Sequence, residues 1–187
     1  VVSAYLLSFG GFLLLGGRAA DLLGRRPMFM AGAGLFAASS LMCGLAWSGE
    51  ALIVFRVVQG ISAAIMAPTA LSLLLATFED GSERNRALGI WGGIGGVGAT
   101  AGLLLGGPIT QGLGWEWIFF VNVPVGVAVI VLSPILLRES RDRDRPRTFD
   151  VAGAVTITAS LLLLVTAITG GPQAGWLSTR TIGLLAA

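Results

Sequence analysis

Six long stretches of this chain, Val1–Gly17, Pro27–Gly49, Val57–Phe78, Ala87–Trp115, Trp117–Leu137 and Val151–Thr179, contain no Asp, Glu, Lys or Arg. A bilayer core about 30 Å thick needs about 20 apolar residues in a helix, so runs of this kind have the length to cross it. Transmembrane strands would instead show segments of about 10 residues with alternating polarity, and no such alternation is present. Charged residues make up only 12% of the chain and the mean hydropathy is +0.85, whereas soluble domains are roughly a quarter charged. The fold class that follows is an all-α integral membrane protein, a multi-span helical bundle. Its helices are expected at roughly 1–16, 27–47, 50–77, 87–112, 117–137 and 151–169, with a seventh starting near Thr179. Pro27 suits the first turn of its helix, and Gly49 a stop before Glu50 opens the next.

The charge that remains is concentrated between the runs. All twelve basic residues are arginine, and ten of them fall in alternate gaps: Arg18, Arg25 and Arg26; Arg84 and Arg86; Arg138, Arg141, Arg143, Arg145 and Arg147. Cytoplasmic connections collect Lys and Arg, so the gaps 18–26, 79–86 and 138–150 are expected inside a multi-pass cell-membrane protein. Lipid headgroups account for the net charge of +2 better than nucleic acid does. The segment RESRDRDRPRTFD, 138–150, reads as a cytoplasmic linker, with an anionic-lipid site as the alternative. Cys43 is the one cysteine, which excludes a disulfide within the chain and leaves a packing role. The chain opens and closes inside apolar runs, as an excerpt of a longer polypeptide would, and no secretory signal with a cleavage site is visible.

Three features stand out from the apolar background. GIGGVG, 93–98, fits the dinucleotide pattern G-x-G-x-x-G, but it sits inside 29 uncharged residues rather than between a strand and a helix start. As a helix, it puts Gly92, Gly95, Gly98, Gly102 and Gly106 on one face, suited either to tight packing or to helices bending and sliding. Pro108 favours bending. Arg56 is a lone charge within an apolar span, about 9 Å in from Glu50. It either snorkels outward or joins Gln59, Gly60, Ala63, Ala64 and Ala67 on an interior polar face, where intramembrane charge usually serves function. In GGRAADLLGRR, 16–26, Asp21 and Arg25 have ion-pair spacing, worth only tenths of a kcal/mol at a surface. Topology explains the arginines there but not Asp21, Gly16, Gly17 or Gly24, which together describe a tight cytoplasmic turn.

These residues resemble motifs of the major facilitator superfamily of secondary transporters. The family's loop motif G-x-L-a-D-r-x-G-r-k-x-x-l is similar to Gly17, Asp21, Gly24, Arg25 and Arg26, with departures at Ala19, Leu22 and Phe29. Its l-x-x-x-R-x-x-q-G resembles Leu52, Arg56, Gln59 and Gly60. The antiporter motif G-x-x-x-G-P-x-x-G-G is matched by Gly98, Gly102, Gly106 and Gly107; Leu103 replaces the motif proline and Pro108 follows five residues later. WEWIFFVNVPVG, 115–126, and FDVAGAV, 149–155, resemble segments of the drug:proton antiporters with fourteen helices. The resemblance implies that 1–137 is part of the N-terminal helical half, family helices 2 to 6. Residues 138–150 would be a linker, and 151–187 would hold helix 7 and the start of helix 8.

It also implies alternating access, with proton entry driving export of a small hydrophobic compound across the bilayer. Gly17, Asp21, Gly24, Arg25 and Arg26 would form a conformational latch. Arg56 and Gln59 would serve proton coupling, and Gly98, Gly102, Gly106, Gly107 and Pro108 a hinge and seal. No cofactor is implied. Arginine cannot exchange a proton in a protein; there is no histidine, and Glu50, Glu79, Asp80, Glu83 and Glu116 all lie near span ends. The proton carrier is expected on an acidic residue of the family's first helix, upstream of Val1. A metabolite transporter is the alternative, and a membrane enzyme or sensor a remote one. The sequence shows no metal-ligand cluster, no nucleophile with a base and no carboxylate pair, so no enzymatic activity is expected. Substrate-binding residues are not identifiable from these motifs.

Overall fold

The computed structural model describes residues 1–137 and 151–186; the expected linker, 138–150, lies outside the described residues. The elements are α1 (Val2–Leu23), α2 (Arg25–Gly44), α3 (Gly49–Thr77), α4 (Ser82–Gly112), α5 (Trp117–Phe120), α6 (Asn122–Leu136), α7 (Val151–Ala174) and α8 (Thr179–Ala186). Among the described residues six helical stretches are long and apolar enough to cross a membrane, with Trp117–Leu136 counted as one. The all-α membrane bundle expected from the charge-free runs is the fold observed.

Several boundaries differ from expectation for local reasons. The first helix continues through the arginine gap to Leu23, because Arg18–Leu23 holds no helix breaker and Asp21 is spaced to reach Arg25 across one turn. The expected 18–26 connection is therefore a corner at Gly24 alone, whose φ of 108° suits glycine and whose N–H still donates to the Ala20 carbonyl at 3.0 Å. Pro27 then falls in the first turn of α2. Gly49 opens α3 instead of stopping α2: the Ser48 hydroxyl caps it, accepting from Ala51 N–H at 3.1 Å. The gap expected at 79–86 shortens to a turn around Gly81, with Glu83 in the first turn of α4. The fifth expected span divides at Val121, where Pro124 lacks the N–H that the Phe120 carbonyl would otherwise receive.

Packing is inverted relative to a soluble protein. Apart from Leu73 the buried side chains among the described residues are small or polar, among them Ala33, Ala64, Ser40, Ser62, Thr69 and Gln59, while Leu103, Ile135 and Leu136 point outward. In lipid, large apolar groups lose nothing by facing outward, and close backbone approach between small residues holds the helices together. α3 packs on both α1 and α2; α6 lies against α2 and α7 against α1. α4 meets only its chain neighbours α3 and α5 among the described helices. The rings of Trp47, Phe55, Trp115, Trp117, Phe119 and Phe120 pair edge to face near Glu50 and Glu116, at the ends away from the arginine gaps. An aromatic belt of this kind marks a membrane interface.

At the opposite end Arg84 closes α3. Its Nε donates to the Phe78 carbonyl and its Nη2 to the Leu75 carbonyl, both at 3.0 Å, and Nη1 pairs with Asp80. The Leu75 carbonyl is one of the four that a helix end leaves without a backbone donor. Arg84→Ala is expected to destabilise the bundle by about 1–2 kcal/mol, read as thermal unfolding in detergent. Asp80→Asn should leave the melting curve in place, since Asp80 is 89% exposed and an exposed ion pair adds little.

Candidate functional site

The polar centre of the bundle is built on α3. Gln59 and Gly60 are buried there, with Arg56 one turn toward the aromatic end. The Arg56 Nη1 donates to Gln59 Oε1 at 2.6 Å, and Gln59 Nε2 donates to Ser40 Oγ of α2 at 2.5 Å. The Cys43 thiol, also on α2, approaches the same Oε1 at 4.0 Å. The guanidinium carbon lies 4.3 Å from the centre of the Tyr5 ring on α1 and 5.6 Å from that of Phe119 on α5. Aromatic faces attract a cation that has lost part of its hydration. Arg56 is therefore turned into the helix assembly, which decides between the interior placement and snorkelling.

This site gathers residues from four helices. Arg56 and Gln59 stand out in the sequence as a charge and an amide in an apolar run. Ser40, Tyr5 and Phe119 do not, and Cys43, read there as packing, also borders the site. Spacing along one helix carries no information about partners on another. Arg56 Nε is buried with no hydrogen-bond partner among the described residues, and no carboxylate pairs with this guanidinium there. A guanidinium has five donors to satisfy, and with Nε buried and unbonded the pocket still has capacity for an acceptor.

The second cluster is the α1–α2 corner. Arg25 and Asp21 pair at 3.4 Å, each side chain about a fifth to a quarter exposed. Arg26 Nη2 donates to the Pro134 carbonyl at 3.1 Å, joining the start of α2 to the last turn of α6. An arginine on a last-turn carbonyl is a favourable C-terminal helix cap. A Cβ built on Gly17 would meet Pro68 at an ordinary 3.5 Å. The neighbouring Gly16 is the constrained one, since a Cβ there would overlap the Ala64 carbonyl. Pro68 is the cause: lacking an N–H, it frees that carbonyl from the α3 ladder and leaves it facing α1.

The α4 glycines form a third group. Beyond the local backbone of α4 itself, no described atom lies within 4 Å of a Cβ built on Gly98, Gly102, Gly106 or Gly107, and the same holds for Gly92 and Gly95. α4 runs from Ser82 to Gly112 with Pro108 inside it and no buried residue. Any helix that packs on this face is therefore not among the described residues. The close glycine contacts lie elsewhere: Gly16 and Gly60 between α1 and α3, Gly44 against the Phe120 ring, and Gly126 against Ala37.

The family model described as Major Facilitator Superfamily matches residues 1–169. The chain belongs to the major facilitator superfamily. It is accordingly a multi-pass protein of the cell membrane, and the family is one of transporters. The chain is 40% identical over 183 residues to an uncharacterized MFS-type transporter, EfpA, of Mycobacterium tuberculosis, covering 98% of this chain and 34% of that protein. It is 41% identical over 187 residues to the tetracenomycin C resistance and export protein of Streptomyces glaucescens, covering 100% of this chain and 35% of the relative. The cephamycin export protein CmcT of Amycolatopsis lactamdurans is 42% identical over 177 residues, 94% of this chain and 36% of its own. The chain thus spans about a third of the length of the curated relatives it matches.

Proposed function

We propose that the full-length superfamily protein is a proton-coupled exporter of small hydrophobic compounds, working by alternating access. The observation that carries this reading is Arg56: a guanidinium inside a membrane span, held by Gln59, Tyr5 and Phe119, with no carboxylate partner among the described residues. A guanidinium so placed favours the charged form of a carboxyl group brought beside it, and lets the proton return when it withdraws. Arginine remains protonated throughout, so it tunes the exchange and another group carries it. The relatives named for export of, or resistance to, tetracenomycin C and cephamycin support the export direction.

The remaining motif residues take parts in the same cycle. The arginine-bearing ends face the cytoplasm, where Gly17, Asp21, Gly24, Arg25 and Arg26 latch one conformation. Arg26 anchors that latch to α6 through the Pro134 carbonyl. Gly98, Gly102, Gly106, Gly107 and Pro108 give α4 a smooth bendable face for a helix of the longer protein. In inside-out vesicles holding the full-length protein, an acid-inside gradient should drive accumulation of a hydrophobic cationic dye, and nigericin should abolish it. Accumulation that ignores the proton gradient would rule out proton coupling.

A further inference from the structure

We infer that Ser40 is a positioning residue for Arg56, acting through the Gln59 amide. The inference rests on the proton-coupling reading of Arg56 and adds a residue that no motif in the sequence marks. Gln59 and Ser40 are 1% and 0% exposed. An amide has two ends of opposite chemistry, and only its oxygen can face a guanidinium, which has donors and no acceptor. With Oε1 on Arg56, the Nε2 end must point to α2, and there it meets the Ser40 hydroxyl at 2.5 Å. Remove that acceptor and a buried N–H is left unmade, so the terminal torsion of Gln59 is free to turn and the Arg56 acceptor goes with it. The chain Ser40–Gln59–Arg56 thus fixes a cation on α3 from a hydroxyl on α2.

The next residue on α2 supplies an internal comparison. Ser39 is also buried, but its hydroxyl donates to the Phe36 carbonyl of its own helix at 3.1 Å and has no link to Gln59. The titratable groups facing Arg56 are Tyr5 from α1 and Cys43 from α2; α5 contributes the uncharged Phe119 ring, and on α3 the nearest along the chain is Glu50 at the helix start.

The test uses the full-length protein in proteoliposomes, reading the initial rate of gradient-driven transport of a cationic dye against pH. Ser40→Ala is expected to move the midpoint of that profile by about half a unit or more, in the same direction as Gln59→Leu. Ser40→Cys, nearly isosteric but a poor acceptor, should do the same, and Ser39→Ala should keep the original profile. In a Gln59→Leu background Ser40→Ala should add nothing. A Ser40→Ala profile that superimposes on the unsubstituted one, or a shift that adds fully to that of Gln59→Leu, overturns the positioning role. If Arg56→Lys also leaves the profile in place, the coupling reading itself fails; if Arg56→Lys shifts it and Ser40→Ala does not, only the role of Ser40 is lost.

Discussion

Arg56→Ala in the full-length protein is expected to cut gradient-driven dye export by about a hundredfold or more while the protein still reaches the membrane. The size follows from what the guanidinium is asked to do. Truncating one partner of a hydrogen-bonded charge pair typically costs about 2–5 kcal/mol of that interaction, here the proposed transient pairing with the proton-carrying carboxylate, and about 1.4 kcal/mol corresponds to tenfold in rate. Folding should suffer far less. Alanine gives up one hydrogen bond to Gln59 and the ring contacts with Tyr5 and Phe119, but it also relieves the desolvation of a cation inside a span. Gln59 keeps Ser40 as a partner. Arg56→Lys separates charge from shape: an ammonium keeps the charge yet cannot lie flat against Tyr5 while reaching Gln59, so intermediate transport is expected. Transport assayed at matched membrane content checks both variants, and undiminished export by Arg56→Ala would remove this residue from the mechanism.

How much of this was legible beforehand depends on which physical term wrote the signal. Charge in a bilayer is costly enough to leave a mark on the sequence alone, so the helices and the unusual position of Arg56 could be read from gaps and a lone exception. The same rule misled on α1. Arg18 and Asp21 report where the bilayer ends, not where the helix ends, and Arg18–Leu23 stays helical up to Gly24. Small residues were the weaker guide. Regular spacing drew attention to Gly98, Gly102 and Gly106 on α4, whose face has no neighbour among the described residues, whereas Gly16 and Gly60 abut backbone. A glycine's need for space is set by the opposing helix, and Pro68, which turns the Ala64 carbonyl toward Gly16, lies 52 positions along the chain from it. Ser40 was silent for the same reason: serine is common in membrane helices, and only its registry with Gln59 gives it a role.

Gly60→Ala is expected to loosen the α1–α3 seam by about 2–3 kcal/mol, and Gly60→Leu to leave little folded protein. A methyl at position 60 would stand 2.5 Å from the Tyr5 carbonyl oxygen and 2.8 Å from Ser8 Cβ. At Gly16 it would overlap the Ala64 carbonyl, with Ile65 Cα 2.9 Å away. A side-chain tip can swing aside, but these obstacles are mostly backbone, so relief requires the two helices to separate. Separation costs dispersion contacts along the whole seam, and in lipid those contacts are the main attraction between helices. It would also carry Tyr5 away from Arg56, so the surviving fraction of Gly60→Ala should transport poorly even after correction for amount. Gly49→Ala is the matched comparison, because Gly49 opens the same helix α3, no neighbouring element lies within 4 Å of a Cβ built there, and its melting curve should not move. Thermal unfolding in detergent followed by size exclusion reads all three. Coincident curves for Gly60→Ala and the unsubstituted protein would mean that α1 and α3 are not held at the separation their glycines permit.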